Sequence, residues 1–391
     1  MLRIIVETVS PVHLSYSPSV GTFSPTLDYI PGSVIRGVLA KWYDENISST
    51  SEFNKVFFHE RTFFSSLTPT GGYKRSKVIP KTAYSCKYKP GFMKNGSHGV
   101  YDMLYDFLDK DKQTIKDTCG HDNNCNASII PISGYYAGTS KYESIEVRKR
   151  IEMKTSINSE VNTISSSNLY QLEFIEEQQK FSGFINFSKK DLETAFFNKL
   201  SKNKLILRIG SKTSSGNGKI ILSELEKYEP QKLAEQEERL ESLQKIIREN
   251  FNNKYLQPDE TIFTITLQSD TILLDKRLNY KNNISPTDLA YYVHPKLIDS
   301  TPNLTNSNDP QIAFSSSKII GGWNHLWGTP KKNANIIEAG SVFIFKIKTN
   351  RKDLIKWFTK AENEGIGERR AEGFGEILFC DEFHLRNIGG G

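Results

Sequence analysis

The residues from 209 to 220 read IGSKTSSGNGKI, and those from 366 to 377 read IGERRAEGFGEI. Both stretches fit one pattern, I-G-x-(K/R)-x-x-x-G-x-G-x-I, and each continues into apolar residues that predict a β-strand. Glycines tolerate positive φ and let another backbone approach closely, while free amide groups and nearby cations suit an anion. The repeat therefore predicts two copies of one structural module, each with a glycine-rich basic loop.

The two stretches do not match the standard phosphate-binding loops of nucleotide enzymes. The P-loop pattern G-x-x-x-x-G-K-(S/T) fails because Gly218 and Lys219 are followed by Ile220. A dinucleotide-binding G-x-G-x-x-G would open a helix, whereas these loops lead into β-type residues. Two hairpin turns without a ligand are the simpler alternative, but a turn does not require three matched glycines and a cation. A phosphate backbone is the better candidate for the anion.

The length and charge of the chain restrict the class of protein. At 391 residues the chain is long enough for two domains. Its 51 Lys and Arg against 45 Asp and Glu give a net charge of +6, so a nucleic-acid site must come from local clusters, such as those at 74–77, 148–150 and 331–332. The sequence has no apolar run of about 18 residues and no signal-peptide layout, which predicts a cytoplasmic protein without a membrane partner.

The alternation of apolar and polar residues divides the chain into two halves that open alike. The residues from 2 to 8 alternate as in a half-buried strand, and those from 261 to 267 do the same. Between them, the residues from 231 to 250 are charged and carry apolar residues at helical spacing after Pro230. We therefore predict a first domain over 1–229, a helical linker over 230–257 and a second domain over 258–391.

A further candidate anion site lies near the N-terminus. The residues from 30 to 40 (IPGSVIRGVLA) predict a loop that turns into a helix, with Ser33 as a possible N-cap. Arg36 would lie in the first turn, where free N–H groups already favour an anion and an arginine does not help the helix. An external phosphate would explain this arginine, and a local cap or salt bridge is the alternative.

Three of the four cysteines fall in one polar segment, which we predict to be an insertion over about 84–135 in the first domain. A tetrahedral zinc ion would organise this segment through Cys86, Cys119 and Cys125 together with His121 or His98, and we place His121 at the fourth position. Unpaired thiols are the alternative, because C-x5-C is wider than the usual zinc-knuckle spacing. Structural zinc is thus a possible cofactor, and no catalytic cofactor is expected.

Together these elements resemble the RAMP superfamily of CRISPR effector subunits. The resemblance covers nearly the whole chain and is carried by the opening strand, the helix start at 30–37, the block from Leu169 to Phe184 and both glycine loops. It implies an α+β fold of two ferredoxin-like domains, related to the RNA-recognition motif and joined by a helical linker. With two modules and a cysteine-bearing insertion, the chain looks most similar to the Cas-five-like subunits of subtype III-D.

The resemblance implies a subunit that holds CRISPR RNA near its 5′ handle within a type III effector complex. Its partners would be that RNA, the large palm-domain subunit and other RAMP subunits, with target RNA contacted indirectly. Loop amides and cations would hold phosphates in register, while a sheet presents bases for stacking. The aromatic residues of the usual RNA-recognition-motif signature are not identifiable in the sequence. Carried to this chain, the candidate RNA contacts are Arg36, Gly210, Lys212, Gly216, Gly218, Gly367, Arg369, Arg370, Gly373 and Gly375.

Two other functions are compatible with the sequence. A metal-independent ribonuclease needs a general base and a general acid, which His13, the stretch at 59–61 (HER) or Asp28 could supply. None of them comes with a recognisable catalytic partner, so we expect a chain that is not an enzyme. A protein-only scaffold would explain the duplication but would leave the basic loops unused.

Overall fold

The computed structural model describes residues 1–16, 22–47, 50–58, 62–72, 74–93, 96–108, 117–121, 125–138, 141–157, 164–202, 205–229, 232–250, 259–300, 313–324 and 328–385. Its α-helices are α1 (Gly32–Asn46), α2 (Thr50–Phe53), α3 (Leu104–Leu108), α4 (Lys190–Leu200), α5 (Lys232–Asn250), α6 (Pro286–Tyr292) and α7 (Arg351–Glu364). No helix among these described residues is long and apolar enough to cross a membrane.

The strands of the first half of the chain begin with the predicted opening strand. They are β1 (Leu2–Thr8), β2 (Phe23–Ser24), β3 (Thr62–Phe64), β4 (Thr68–Gly71), β5 (Lys74–Arg75), β6 (Lys77–Val78), β7 (Ala83–Cys86), β8 (Val100–Asp102), β9 (Ile129–Pro131), β10 (Tyr135–Ala137), β11 (Glu143–Ile145), β12 (Lys149–Ile157), β13 (Ile164–Ile175), β14 (Lys180–Phe187), β15 (Ile206–Arg208) and β16 (Lys219–Lys227).

The second half likewise opens with the strand that its alternation predicts. Its strands are β17 (Glu260–Leu267), β18 (Ala313–Phe314), β19 (Ser317–Ile320), β20 (Trp323–Asn324), β21 (Thr329–Pro330), β22 (Ala334–Ile337), β23 (Val342–Lys348) and β24 (Ile377–Phe379). The apolar residues after each glycine loop therefore form strands β16 and β24, as predicted.

The first sheet has the strand order β15-β16-β1-β14-β4-β5, with β3 also paired to β14. Along the chain, β1, α1, β3 with β4, β14, α4 and β16 follow one another in the β-α-β-β-α-β order of a ferredoxin-like unit. One face of this sheet packs on α1 and α4, because successive strand residues point to opposite faces. The core between them contains Leu2, Ile4 and Val6 of β1, Ile35 and Leu39 of α1, and Phe196 and Leu200 of α4.

The second sheet repeats this arrangement with the order β18-β23-β17-β24, and its elements β17, α6, β18, β23, α7 and β24 follow the same sequence. Phe263, Phe358 and Phe379 pack ring against ring in its core, with centroids 4.3 to 5.8 Å apart. Strands and helices thus combine within each half, which confirms the predicted α+β class. The domain boundaries given above stay predictions.

Helix α5 falls within the predicted linker, but it packs on the second core. Its Leu240, Leu243 and Ile247 are buried with the residues of β17 and α7. The amide of Gln244 lies between α5 and β17 and accepts a hydrogen bond of 3.3 Å from the backbone nitrogen of Ile262. The helix is therefore a structural part of the second half and not a free connection.

Apart from β5, which belongs to the first sheet, the strands between β4 and β14 form small three-stranded sheets, β11-β10-β6 and β8-β7-β9, and the long hairpin β12-β13 that also pairs with β2. Several of their side chains reach the second half of the chain. These contacts are the ion pairs Arg75–Glu376, Lys77–Glu382 (2.6 Å), Lys81–Glu338 (3.1 Å) and Asp102–His384 (2.6 Å), and the hydrogen bond Tyr136–Asp381 (3.1 Å). The inserted segments thus bind the second half to the first.

Candidate functional site

The two glycine-rich loops have the same backbone conformation. In each, the basic residue at the fourth position has a left-handed conformation, with φ of 58° at Lys212 and 56° at Arg369, and a short 3₁₀-helix follows it. The glycines agree pair by pair: φ is 79° and 84° at Gly210 and Gly367, 89° and 91° at Gly216 and Gly373, and 80° and 77° at Gly218 and Gly375. The sequence repeat is therefore a structural repeat.

Two glycines of each loop are required by the folding of the loop itself. A Cβ atom on Gly210 would lie 2.3 Å from the carbonyl oxygen of His13, and one on Gly218 would lie 2.1 Å from that of Ile209. The corresponding distances in the second loop are 2.3 Å for Gly367 and 1.8 Å for Gly375. Because neighbouring backbone packs directly against these glycines, they determine the shape of the loops and do not form an open surface.

The tip of the first loop is open to solvent. Lys212, Ser214, Ser215 and Gly216 are exposed, and a Cβ atom on Gly216 would meet nothing within 4 Å. The Lys212 ammonium lies 5.5 Å from the centre of the Tyr170 ring on β13. This loop thus presents a cation and an aromatic ring side by side, a combination that suits single-stranded nucleic acid.

Arg208, at the end of β15, adds a second exposed cation beside this loop. Its guanidinium donates a 3.2 Å hydrogen bond to the carbonyl oxygen of Thr213. Neither Arg208 nor Tyr170 belongs to the repeated pattern, which is why sequence reasoning missed them.

The second loop, in contrast, packs against the first half of the chain. A Cβ atom on Gly373 would lie 2.8 Å from the carbonyl oxygen of Phe64. Arg369 is paired with Glu372 at 2.6 Å, and Lys331 lies 3.5 Å from the same carboxylate. Burial alone raises the pKa of Glu372, but Arg369 and Lys331 lower it below its ordinary value, so the carboxylate stays ionised and compensates these cations.

The side chain of Arg36 bonds to other groups of the protein. Its guanidinium donates a hydrogen bond to the carbonyl oxygen of Phe57, and its charge also lowers the pKa of Glu372. The helix begins at Gly32, with Pro31 and not Ser33 at the N-cap position and without a side-chain cap. A Cβ atom on Gly32 would lie 2.8 Å from the carbonyl oxygen of Glu372, so the second loop packs on this helix end. This geometry corrects the predicted N-cap and favours the local alternative for Arg36.

The basic clusters noted in the sequence are largely neutralised within the fold. Five of their cations pair with carboxylates, as Arg75–Glu376, Lys77–Glu382, Lys149–Glu173, Arg150–Glu177 and Lys331–Glu372. These clusters therefore add less to an anion site than their charge suggests, and the exposed first loop is the better candidate.

A second candidate site is a cluster of three cysteines and one histidine in the insertion. The ligand atoms of Cys86, His98, Cys119 and Cys125 all lie within 4.8 Å of one another. The Sγ atoms of Cys86 and Cys125 are 3.8 Å apart, which is about the edge of a tetrahedron with Zn–S bonds of roughly 2.3 Å. The donor set and its spacing therefore fit a tetrahedral zinc ion.

The structure corrects the fourth position of this cluster. His98 Nδ1 lies 3.3 Å from the Sγ atom of Cys119, whereas the ring of His121 stacks on that of His98 with centroids 4.4 Å apart. His98 was the alternative in the sequence and His121 the choice, because spacing alone does not show which ring turns inward. Burial raises the pKa of Cys86, but hydrogen bonds from the backbone of Lys89 and Tyr88 lower it below its ordinary value, whereas the pKa of Cys125 is raised.

Of the residues considered for catalysis, the structure describes His13 and Asp28, and both are bonded to other parts of the fold. His13 is buried, its Nδ1 lies 2.7 Å from the carbonyl oxygen of Glu173, and its Nε2 lies 3.3 Å from the Ser24 hydroxyl. Both ring nitrogens are thus engaged by the fold. Asp28 forms an ion pair with Lys149. The stretch at 59–61 lies outside the described residues.

Comparison with known proteins gives a family and distant structural likenesses. The model of the RAMP superfamily matches residues 5–221, which is more than half of the chain. No curated protein matches. A chain in a cryo-EM structure of the Type III-B Cmr-beta bound to cognate target RNA and AMPPnP is 12% identical, with 92% of this chain and 88% of that one covered and a TM-score of 0.37. Pyrococcus furiosus Cmr4 (Cas7) is also 12% identical, with 58% and 99% covered and a TM-score of 0.26.

Proposed function

Because this chain belongs to the RAMP superfamily, we propose that it is a non-catalytic subunit that holds CRISPR RNA in a type III effector complex. The observation that carries the proposal is the first glycine-rich loop, where Lys212 is exposed beside the ring of Tyr170 and Arg208 is exposed next to Thr213. Cations hold phosphates without regard to base identity, and an aromatic ring supports a base by stacking. A holding function needs no more chemistry than this.

The two halves with the same order of elements support a pair of RAMP modules. Two modules and a cysteine-bearing insertion favour a Cas-five-like, subtype III-D-like subunit that holds the RNA near its 5′ handle. The proposed partners are CRISPR RNA, the large palm-domain subunit and other RAMP subunits, with target RNA contacted indirectly. A soluble, cytoplasmic location belongs to the same proposal.

The dependence of RNA binding on salt tests this function. Each phosphate contact that is removed should reduce the slope of log affinity against log salt concentration by about 0.7 for single strands. We therefore expect Lys212→Ala combined with Arg208→Ala to weaken binding of CRISPR RNA. The slope should become smaller by an amount that corresponds to the loss of about one to two phosphate contacts. The matched control is Lys245→Ala, since Lys245 is an exposed lysine on α5. An unchanged slope in the folded double variant would contradict the proposal.

We also propose that the cluster of Cys86, His98, Cys119 and Cys125 holds a structural zinc ion. The hydrophobic core around this cluster is small, and its buried residues are Cys86, Cys119 and Ala127. A metal ion would supply the cross-link that such a core cannot, because burial of so few apolar groups stabilises little.

Metal analysis of the purified chain distinguishes the two histidines. About one zinc per chain is expected, with loss of the metal in His98→Ala and Cys119→Ser. His121→Ala is the matched control and should retain zinc, because the described cluster contains His98 and not His121. A folded, metal-free wild-type chain would refute the zinc site without affecting the proposal on RNA.

A further inference from the structure

A cavity of about 790 Å³ lies between the first sheet and the second half of the chain. Its volume falls in the range that ligand sites commonly have. Its floor is the face of the first sheet that does not pack on α1 and α4. Its other walls come from the C-terminal end of α7, from α5 and from the second glycine-rich loop.

The strand alternation decides which side chains form the floor. Arg3 on β1, Phe63 on β3 and Phe184 on β14 line the cavity, while their neighbours point the other way into the core, namely Leu2, Phe64 and Ile185. Phe63 and Phe184 are half-buried, so part of each ring is accessible. The sheet face therefore carries aromatic rings on two paired strands, which is the arrangement by which a four-stranded RNA-recognition sheet stacks bases.

The two rings differ in what already contacts them. Phe184 has the Tyr228 ring at 5.3 Å and the Arg75 guanidinium at 5.4 Å. Phe63 has the guanidinium of Arg370 at 5.6 Å, and Arg370 forms no ion pair with any residue that the structure describes. Phe63 with Arg370 is thus the part of the floor best able to accept a further planar group.

Polar groups around the cavity are incompletely bonded. Within the described chain, eight buried side-chain atoms lack a hydrogen-bond partner, and four of them belong to residues that line this cavity: Arg75 Nε, Arg239 Nε, Gln268 Nε2 and Asn363 Oδ1. Buried polar atoms without partners are uncommon and call for an explanation, such as a missing ligand or water. These four atoms are themselves enclosed by protein, so they show that the cavity has a polar lining and do not face its open part.

The charge of the lining restricts the class of ligand. Five Arg and Lys side chains line the cavity against six Glu side chains, and Arg75, Lys77 and Arg239 are each paired with one of those glutamates. A group of phosphates would meet as many anions as cations here. A neutral, planar group with hydrogen-bonding edges fits this balance of charge and aromatic surface.

We propose that the cavity receives one unpaired nucleobase of the bound RNA, stacked on Phe63 beside Arg370. The inference rests on the proposed RNA-holding function and adds to it a second point of contact. Strand β16 separates the two points, because the first loop precedes its start at Lys219 and Tyr228 at its other end lines the cavity. The first loop then holds phosphates, whereas the second loop contributes Arg370 to a base site.

Abasic substitution in the RNA tests this site in the full-length chain. The probe is a single-stranded RNA with the host repeat sequence, in which an abasic nucleotide replaces each position in turn. One position should weaken binding to the wild type by about 5- to 150-fold, the usual effect of one stacked base. Phe63→Leu keeps apolar volume without the aromatic face, so it should weaken binding of intact RNA similarly and remove the sensitivity to that abasic position. The salt slope should not change, since no phosphate contact is lost.

Phe58→Leu is the matched control, because Phe58 is an exposed phenylalanine outside the cavity, with 71% of its surface accessible. It should bind intact and abasic RNA like the wild type. If no abasic position matters to the wild type, or if Phe63→Leu retains the same sensitivity, the base site is refuted, and the holding function stands as long as binding still depends on Lys212. Absence of RNA binding in the wild type would refute both.

Discussion

Lys212 and Arg369 occupy the same position of two loops with the same backbone, yet their side chains have different surroundings. The Lys212 ammonium lies in solvent over the ring of Tyr170, whereas Arg369 is paired with Glu372 and lies over the ring of Phe374, 4.9 Å from its centre. One loop has kept an open tip, while the other has become part of the contact between the two halves of the chain. The repeat in sequence therefore predicts shared backbone geometry but not shared surroundings.

Replacing these two cations singly should separate stability from binding. Arg369→Ala should lower the free energy of unfolding by about 1 kcal/mol, because it removes a partly exposed ion pair and the contact with Phe374. It should leave the salt slope of RNA binding unchanged. Lys212→Ala should reduce the salt slope of RNA binding but change the free energy of unfolding by less than about 0.5 kcal/mol. Urea unfolding and RNA titrations at several salt concentrations measure both effects, and an equal loss of slope in both variants would contradict this division.

The glycines of the first loop should differ in their tolerance of alanine. Both Gly210 and Gly216 have positive φ, and an alanine in this conformation lowers the free energy of unfolding by about 1 kcal/mol. At Gly210 the added Cβ would also lie 2.3 Å from the His13 carbonyl oxygen, whereas at Gly216 it would meet nothing within 4 Å. We expect Gly210→Ala to destabilise the chain by about 3 kcal/mol or more and Gly216→Ala by about 1 kcal/mol. Similar unfolding midpoints in urea for the two variants would show that the close approach is not present in solution.

The sequence predicted local structure better than it predicted surroundings. The repeated glycines indicated two equivalent loops because the ability to adopt a positive φ belongs to glycine itself and does not depend on its surroundings. Burial of the second loop depends on the packing of Gly373 and Gly32 against distant backbone, which no local pattern contains. For the same reason Arg36 was considered for a phosphate, although the Phe57 carbonyl accepts its hydrogen bond.

For a related reason the sequence did not reveal the aromatic floor, and it gave His98 only as the alternative to His121 at the fourth metal position. Phe63 and Phe184 are separated by the whole insertion, and only the pairing of β3 with β14 brings their strands together. His121 lies between Cys119 and Cys125 in the sequence and His98 lies far from both, yet the His98 ring is the one that turns toward the Cys119 sulfur. A pairing of strands and a side-chain direction are both properties of the tertiary fold.

His384 should make stability depend on pH. Its Nδ1 lies 2.6 Å from an oxygen of Asp102, and the ring is fully buried. Burial alone lowers the pKa of His384, but the charge and hydrogen bond of Asp102, with the charge of Asp381, raise it above its ordinary value of 6.5. A raised pKa means that the stabilisation is complete below about pH 6.5 and is lost as the pH rises through the value in the folded chain.

Unfolding measured between pH 6 and pH 9 checks this dependence. The free energy of unfolding of the wild type should fall with rising pH relative to that of His384→Gln, which cannot titrate. The difference between the two should be largest at the acidic end of the range. Parallel pH profiles would mean that His384 does not gain a proton on folding.

The chain should not cut RNA by itself. His13, the described histidine closest to the first loop, has both ring nitrogens engaged by the Glu173 carbonyl and the Ser24 hydroxyl. General acid-base catalysis needs a group within hydrogen-bond reach of the reacting atoms. We expect CRISPR RNA to be returned intact with or without magnesium, and His13→Ala to change stability alone. Site-specific cutting that His13→Ala or His59→Ala abolishes, with affinity retained, would establish the ribonuclease alternative.

The most direct measurement is recovery of the RNA that the chain binds in its own host. The tagged chain is purified under conditions that keep its complex intact, crosslinked with ultraviolet light, and the attached RNA is sequenced while the crosslinked peptides are mapped. We expect CRISPR RNAs that share a 5′ handle, strongly enriched over total RNA, and a crosslink in the peptide that contains Lys212. An intact complex whose RNA is no richer in CRISPR sequences than total RNA, or contains none, would contradict this expectation.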